Sequence, residues 1–387
     1  MPRVLAFFGA RVLFGQERSN IETLAVLKDH GGEVLCLVRD EAWNQAVTDA
    51  LTARGLATEP VPYLDGWLAG YRLRTVFRNP VALVRANLTL RRIIRRFKPT
   101  HLYCFNPWYA ATFMPALFWS KVPMIYRIGD QPTVHRWVWR RLWAAVAGRT
   151  AVIVANSQFV KRSVERSGVA AEKVRVIYSV PPRREAAAPC ELPASCAGPG
   201  RFRITYVGQL TAHKGVDALV EAFARVAGDY PDARLLIAGR VTEWAGDQWA
   251  RDLRDRVERD PALQPRVCFL GFVEDVPGLL NQSHLHVCPS IFEEPLALAV
   301  VEAKAQARPS IVFPRGGLPE LIRHGIDGWV CPEPTVGALT EALRHYLAHP
   351  DDASAHGREA RAWVDRSERE FASRWLAGLA DAARAPN

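Results

Sequence analysis

Short apolar runs alternate with longer stretches of helical periodicity from the first residues onward. Runs at 4–8, 34–38, 101–105, 124–127, 151–155 and 174–178 read as buried strands, with a helix over about 20–30 between the first two. The alternation restarts after 200. Strand runs fall at 203–207, 234–238, 267–270, 286–289 and 310–313, with helical patterns at 216–227, 249–258 and 296–307. Strands that alternate with helices predict parallel α/β sheets. Between 181 and 200 the pattern collapses into Pro, Ala, Arg and Gly without periodicity, as in a linker. The chain thus divides into Rossmann-like halves at 1–183 and 201–366, joined by a linker at 184–200. In the tail, Ser367 and Glu370 have capping-box spacing, and Phe371, Trp375, Leu376 and Leu379 form one apolar stripe. That predicts a separate helix within 367–387.

With 387 residues the chain is long enough for two domains, and 49% hydrophobic against 23% charged residues is the balance of a globular protein. No apolar run reaches bilayer length: the stretch 110–119 is broken by Thr112 and Pro115. The N-terminus starts on a strand pattern rather than on a signal peptide, so the expected location is cytoplasmic. The seven cysteines contain no CxxC, and no metal site is expected. Cys36, Cys104, Cys268 and Cys288 fall in apolar runs and read as small hydrophobes. Cys190 and Cys196 flank a loop and could pair, although a cytoplasmic location argues against it.

The net charge of +10 makes phosphates, anionic lipid or nucleic acid the candidate partners. Arg72, Arg74, Arg78, Arg85, Arg91, Arg92, Arg95, Arg96 and Lys98 cluster in one stretch. Val81, Leu83, Val84, Leu88, Leu90, Ile93, Ile94 and Phe97 recur within it at near-helical spacing. A second patch, 135–143, interleaves Trp137, Trp139 and Trp143 with Arg136, Arg140 and Arg141. Trp with Arg suits a membrane headgroup layer, stacking on sugars or bases, or ordinary core packing.

Candidate chemistry concentrates in the second half. Glu294 and Glu302 stand eight positions apart in the segment 292–303, with Pro295 placed for a first helical turn. On one helix they would lie roughly 12 Å apart along the axis, suited to gripping both ends of a sugar nucleotide. The helix N-terminus between them would offer N–H groups to a diphosphate. Upstream, the turn 206–215 follows a strand and precedes a helix. Gly208 permits a close approach there, and Lys214 can set a charge on phosphate oxygens. Downstream, Arg315-Gly316-Gly317 opens another Gly-rich turn that runs on to Gly325 and Gly328.

These motifs resemble glycosyltransferase family 4, of the GT-B fold. The resemblance rests on Gly208–Gly215, Leu235–Gly239, Leu270-Gly271-Phe272, Pro289-Ser290, Glu294 with Glu302, and Gly316-Gly317 through Gly328. More weakly, it includes Gly15–Arg18 through Val34, Asn156–Lys161 and Val176–Tyr178. It implies two Rossmann-like domains facing a central cleft and a C-terminal helix that crosses back to the first domain. It also implies transfer of a hexose-type sugar from a nucleoside-diphosphate sugar, with retention and without metal or other cofactor. The leaving phosphate would help to deprotonate the acceptor. Glu294 would contact the sugar, Glu302 the ribose and Lys214 the diphosphate. Gly208, Gln209, Leu296, Ala297, Leu298, Arg315, Gly316 and Gly317 would complete the donor site. Gly15, Gln16 and Asp130 would lie on the acceptor side, Asp130 with a catalytic or orienting role. The expected acceptor is a lipid-linked or polysaccharide-precursor glycan, with peripheral contact to an anionic membrane and no nucleic acid.

Three positions depart from the family pattern. Gln209 stands where Arg is frequent, Ala297 where Gly is frequent, and Gly129, followed by Asp130, where a cleft His is frequent. Arg315 could supply the charge that Gln209 lacks. A GT-B epimerase would use the same donor cleft but needs further acid/base residues, and a non-catalytic basic binding protein would leave the diphosphate motifs unexplained. An oxidoreductase is disfavoured, since no G-x-G-x-x-G follows the first strand.

Overall fold

The computed structural model describes all residues except 11–12, 14, 41–44, 64–79, 133, 135–136, 182–189, 242–247 and 385–387. The chain folds into two compact units, Met1–Pro182 with Glu368–Asn387, and Arg183–Ser367.

Unit 1 is built on seven strands: β1 (Arg3–Phe8), β2 (Glu33–Arg39), β3 (Ala57–Val61), β4 (His101–Cys104), β5 (Met124–Ile128), β6 (Thr150–Ala155) and β7 (Val174–Val176). They lie in the order β3-β2-β1-β4-β5-β6-β7, every pairing parallel. Val4 to Phe8 are all fully buried, because a parallel sheet is covered on both faces; hence the unbroken apolar run. The edge strand β3 carries Glu59 and Pro60, which only an edge tolerates, so no apolar run marks it. The helix Gly15–Asp29 starts five residues before the expected 20, and its first turn contains Glu17. It is tied to the sheet by the buried Arg127 guanidinium, which donates to Ser19 Oγ and Ser179 Oγ, both at 2.8 Å.

Unit 1 also takes in the end of the chain. Phe371, Trp375 and Leu379 belong to its core, and the Trp375 ring lies 5.8 Å from that of Tyr103. Burying one such indole contributes on the order of 2–3 kcal/mol. The expected separate tail helix is corrected, because one helix runs without a break from Pro350 to Arg384. Ser367 does not cap it. Its hydroxyl donates back to Trp363 O at 2.9 Å, the bond a serine makes inside a helix.

Unit 2 holds six parallel strands: β8 (Phe202–Val207), β9 (Ala233–Ala238), β10 (Val267–Gly271), β11 (Leu285–Cys288), β12 (Ser310–Val312) and β13 (Gly328–Val330). Their order is β10-β9-β8-β11-β12-β13. In both sheets the order reverses beside the first strand, between β1 and β4 and between β8 and β11. Loops leaving the carboxyl ends of strands at such a reversal diverge and open a crevice for ligands.

The cysteine reading is also corrected. Cys196 is joined to Cys268 by a disulfide, and Cys190 is a free thiol packed nearby. A sequence separation of 72 residues hides the pairing, because the segment after residue 190 reaches β10 only once the sheet is formed.

Candidate active site

Three loops follow the neighbouring strands β8, β11 and β12, and together they build one cluster in unit 2. In the first, the Gly208 N–H donates to Ala238 O at 3.0 Å, and Gln209 O accepts from the Tyr206 hydroxyl at 2.7 Å. One 3-10 turn, Ala212–Lys214, then ends at Gly215, whose φ is 69°. A Cβ at Gly215 would come within 2.0 Å of Pro289 O, so only glycine lets this loop meet the one after β11. The two are stitched together by His213 O, which accepts from the Ile291 N–H at 3.1 Å and the Phe292 N–H at 3.2 Å.

That contact sets Lys214 Nζ 2.5 Å from Glu294 Oε1, and the Ser290 hydroxyl donates to the same oxygen at 2.8 Å. The third loop fixes the backbone beneath. Gly317 N–H donates to Glu294 O at 2.6 Å, while Gly316 N–H donates to Glu293 Oε2 at 2.7 Å. At Gly316 φ is 58°, and a Cβ would approach Glu294 O to 2.2 Å. Arg315 lies 3.4 Å from Glu293 Oε1, so its charge is partly offset by that neighbour.

The expected helix over 296–307 is shorter, running from Leu298 to Ala305 with Ala297 as its N-cap. Pro295 does not stand in its first turn, and the two glutamates are not two turns apart on one helix. The cause is local: Pro295 disfavours a helical Glu294, and Glu294 O is taken by Gly317 rather than by a helical partner. Leu296, Ala297, Leu298 and Glu302 are half-buried around this start. Ser290, His213 and Glu293 stood inside motifs that the sequence showed, Ser290 in Pro289-Ser290, but sequence reasoning gave them no role in the site.

Chemically, the cluster offers a buried carboxylate beside an ammonium. One of the three Lys214 N–H donors goes to Glu294, which leaves capacity for anionic oxygens. Beside it, burial pushes the Cys288 thiol up to about 12, with Glu294 adding to the effect. Cys288 is therefore held neutral. Among the described residues, no three His, Cys, Asp or Glu side chains gather as a metal-binding group.

Unit 1 carries a pocket of about 500 Å³ beside its own strand reversal. Gln16, Asn106, Trp108, Asp130, Trp139 and Trp143 are among its lining residues. Gln16 Nε2 donates to Phe105 O at 2.8 Å, and Asp130 Oδ1 accepts from the Gln131 N–H at 2.7 Å. Gly15, at the start of its helix, does not line the pocket. Of the Trp–Arg patch, Trp139 and Trp143 are buried and Trp137 is 70% exposed; His135 and Arg136 lie outside the described residues.

A family profile described as Glycosyltransferase Family 4 matches residues 15–179, and one described as Glycosyl transferases group 1 matches residues 201–349. The chain is a group 1 glycosyltransferase of family 4. Spore coat protein SA of Bacillus subtilis (strain 168) is 33% identical over 134 residues, which are 34% of this chain and 35% of that relative. The lipopolysaccharide core biosynthesis mannosyltransferase LpcC of Rhizobium leguminosarum bv. viciae is 31% identical over 165 residues, 42% of this chain and 45% of LpcC. The match thus spans less than half the length of these curated relatives. In fold, the glycosyltransferase is similar to Anabaena HepE in complex with UDP and glucose. The TM-score is 0.78 at 18% identity, over 98% of this chain and 100% of that one. The two parallel sheets, each with helices, are those of the GT-B fold.

Proposed function

We propose that this glycosyltransferase moves a hexose-type sugar from a nucleoside-diphosphate sugar to a lipid-linked or polysaccharide-precursor glycan, with retention and without a metal. The Lys214–Glu294 pair at the β8/β11 reversal carries this reading. Glu294 takes hydroxyls of the transferred sugar, Glu302 takes the ribose hydroxyls, and Lys214 neutralises charge on the leaving diphosphate. Leu296, Ala297 and Leu298 wall the sugar, while Gly208, Gln209, Arg315, Gly316 and Gly317 border the diphosphate. The bond from the anomeric carbon to the diphosphate breaks, and the acceptor oxygen bonds to the same face. Its proton passes to the departing diphosphate. Asp130 and Gln16, in unit 1, orient the acceptor.

Binding to the folded state raises its melting point, by about 2.7 kcal/mol of stability at a hundredfold excess over Kd. In a panel of UDP-, GDP- and ADP-sugars, at least one should raise Tm by several degrees, equally in EDTA. A panel without any shift, or a shift that needs added magnesium or manganese, would contradict the proposal.

The reaction is placed at the inner face of an anionic membrane. The helix Pro80–Phe97 supports this: Leu90, Ile93 and Phe97 face the core, whereas Val81, Val84 and Leu88 are more than half exposed beside Arg85 and Arg92. The guanidinium of Arg91 covers Trp119, itself 68% exposed. Apolar and cationic side chains on one helix face suit a headgroup layer. Arg72, Arg74 and Arg78 lie outside the described residues. Among those described, no helix is long and apolar enough to cross a membrane.

A further inference from the structure

We infer that Lys304 is a positioning residue for donor binding: its buried pair with Asp327 fixes the rotation of helix Leu298–Ala305 about its own axis and so aims Glu302 at the nucleotide ribose. The inference rests on the donor reading above for the role of Glu302; the joint itself stands on the geometry of unit 2. The helix has eight residues and no side-chain hydrogen bond at its N-cap, Ala297. So short a helix is marginal by itself, and its setting comes from what it packs on. Val300, Val301 and Ala303 are fully buried, but contacts between small apolar side chains are non-directional. Leu298 and Glu302, four positions apart, share the less buried face. A slip by one residue would turn that face by about 100° and carry Glu302 away with it.

The directional contacts gather at the other end of the helix. Lys304 and Asp327 are both fully buried, with Nζ 3.0 Å from Oδ1. The carboxylate is itself fixed in orientation: Oδ1 accepts from the Arg323 backbone N–H and Oδ2 from Arg323 Nε, each at 2.8 Å. Lys304 thus meets its counter-charge at a defined point. The helix Pro350–Arg384 closes the joint. Its Gly357 lies against Ala307, where a Cβ would come within 2.1 Å of the carbonyl oxygen. Arg361 Nη1 donates to Ala305 O at 2.7 Å, Glu359 holds Arg323 at 3.1 Å, and Lys304 Nζ sits over the Trp363 ring, 5.0 Å from its centroid. Burying such a pair costs desolvation, which pushes the Lys304 ammonium down to about 8 against the opposing effect of Asp327. An apolar pair of similar volume would hold the fold as well or better. What the ions add is direction, and the side chain this direction serves is Glu302, two positions before Lys304.

Calorimetric titration of the full chain with the UDP-, GDP- or ADP-sugar that raises its Tm tests this, with thermal melting alongside. Lys304→Met together with Asp327→Asn removes both charges at nearly constant shape, so this double variant should melt within a few degrees of the wild type. Its donor Kd should nevertheless rise about tenfold, with kcat at saturating donor little changed. Arg361→Met alters a half-buried side chain and should raise Kd about threefold, the loss of one hydrogen bond; it decides the matter if the double variant does not fold. Built on Glu302→Gln, either change should weaken donor binding no further, because both act through that carboxylate. Unchanged donor affinity in these variants, or losses that add in full to that of Glu302→Gln, would overturn the inference while leaving the donor reading in place. A wild type that binds no sugar nucleotide would overturn the donor reading itself, and this inference with it.

Discussion

Glu294 is the residue on which most contacts converge. Its carboxylate is reached by Lys214 and Ser290, and its carbonyl by Gly317. Replacing it by Gln keeps the shape and removes the charge, so the fold should survive while the hold on the reacting sugar weakens. We expect kcat to fall by about 10²–10³, the cost of one electrostatic group at the reacting centre. Glu302→Gln should instead raise KM with a smaller change in kcat, because the ribose does not change during the reaction. Steady-state kinetics separates the two cases, and near-normal constants in both variants would remove the assignment.

The strands carry a second, pH-dependent property. In β11 His286 is fully buried, and just before it His284 is half-buried; both are held neutral. Desolvation alone lowers His286 to about 3, and burial with Arg203 and Arg308 lowers His284 to about 4. Between their ordinary value of 6.5 and these lowered values the unfolded chain binds protons that the folded chain refuses. Stability is therefore fully present above pH 6.5 and falls as the pH drops toward 4. Each unit of acidification in that window costs on the order of 1 kcal/mol through the fully buried His286, and less through the half-buried His284, which solvent screens. Urea midpoints at pH 7 and pH 4.5 should show His286→Val losing less stability than the wild type, and equal losses would contradict this.

The same elements show what the sequence could reveal. Central strands such as β1 and β9 are apolar on both faces and stand out at once. The edges, β3 with Pro60 and the three-residue β13, bury too little to leave a pattern. Lys214, Glu294 and Gly316 were readable because their chemistry sits at strand ends. The helix start at Leu298 was not, since a hydrogen bond to Gly317, 23 residues after Glu294, decides where it begins. Nor was the continuous helix through Ser367, whose hydroxyl can cap a helix or bond within one. The Trp–Arg patch divided along its helix, with Trp139 and Trp143 turned inward and Trp137 outward.

For the whole molecule, a charge of +10 and the exposed face of helix Pro80–Phe97 predict reversible attachment to anionic lipid. Each basic residue near the surface contributes about 1 kcal/mol, screened as salt rises. The chain should pellet with anionic vesicles at low ionic strength and be released at high salt. Arg91, Arg92 and Arg95 changed together to Glu should abolish pelleting and leave donor binding intact. Indifference of the wild type to such vesicles would favour a soluble acceptor.

The central claim is that the Lys214–Glu294 cluster breaks the bond between a sugar and its nucleoside diphosphate. Release of free nucleoside diphosphate from the sugar nucleotide that stabilises the chain, followed over time for the wild type and for Glu294→Gln, tests it most directly. The account predicts steady release by the wild type and a rate lower by about a hundredfold or more in the variant, with the donor still bound. Equal rates in the two proteins, or no release by the wild type from any sugar nucleotide it binds, would contradict it.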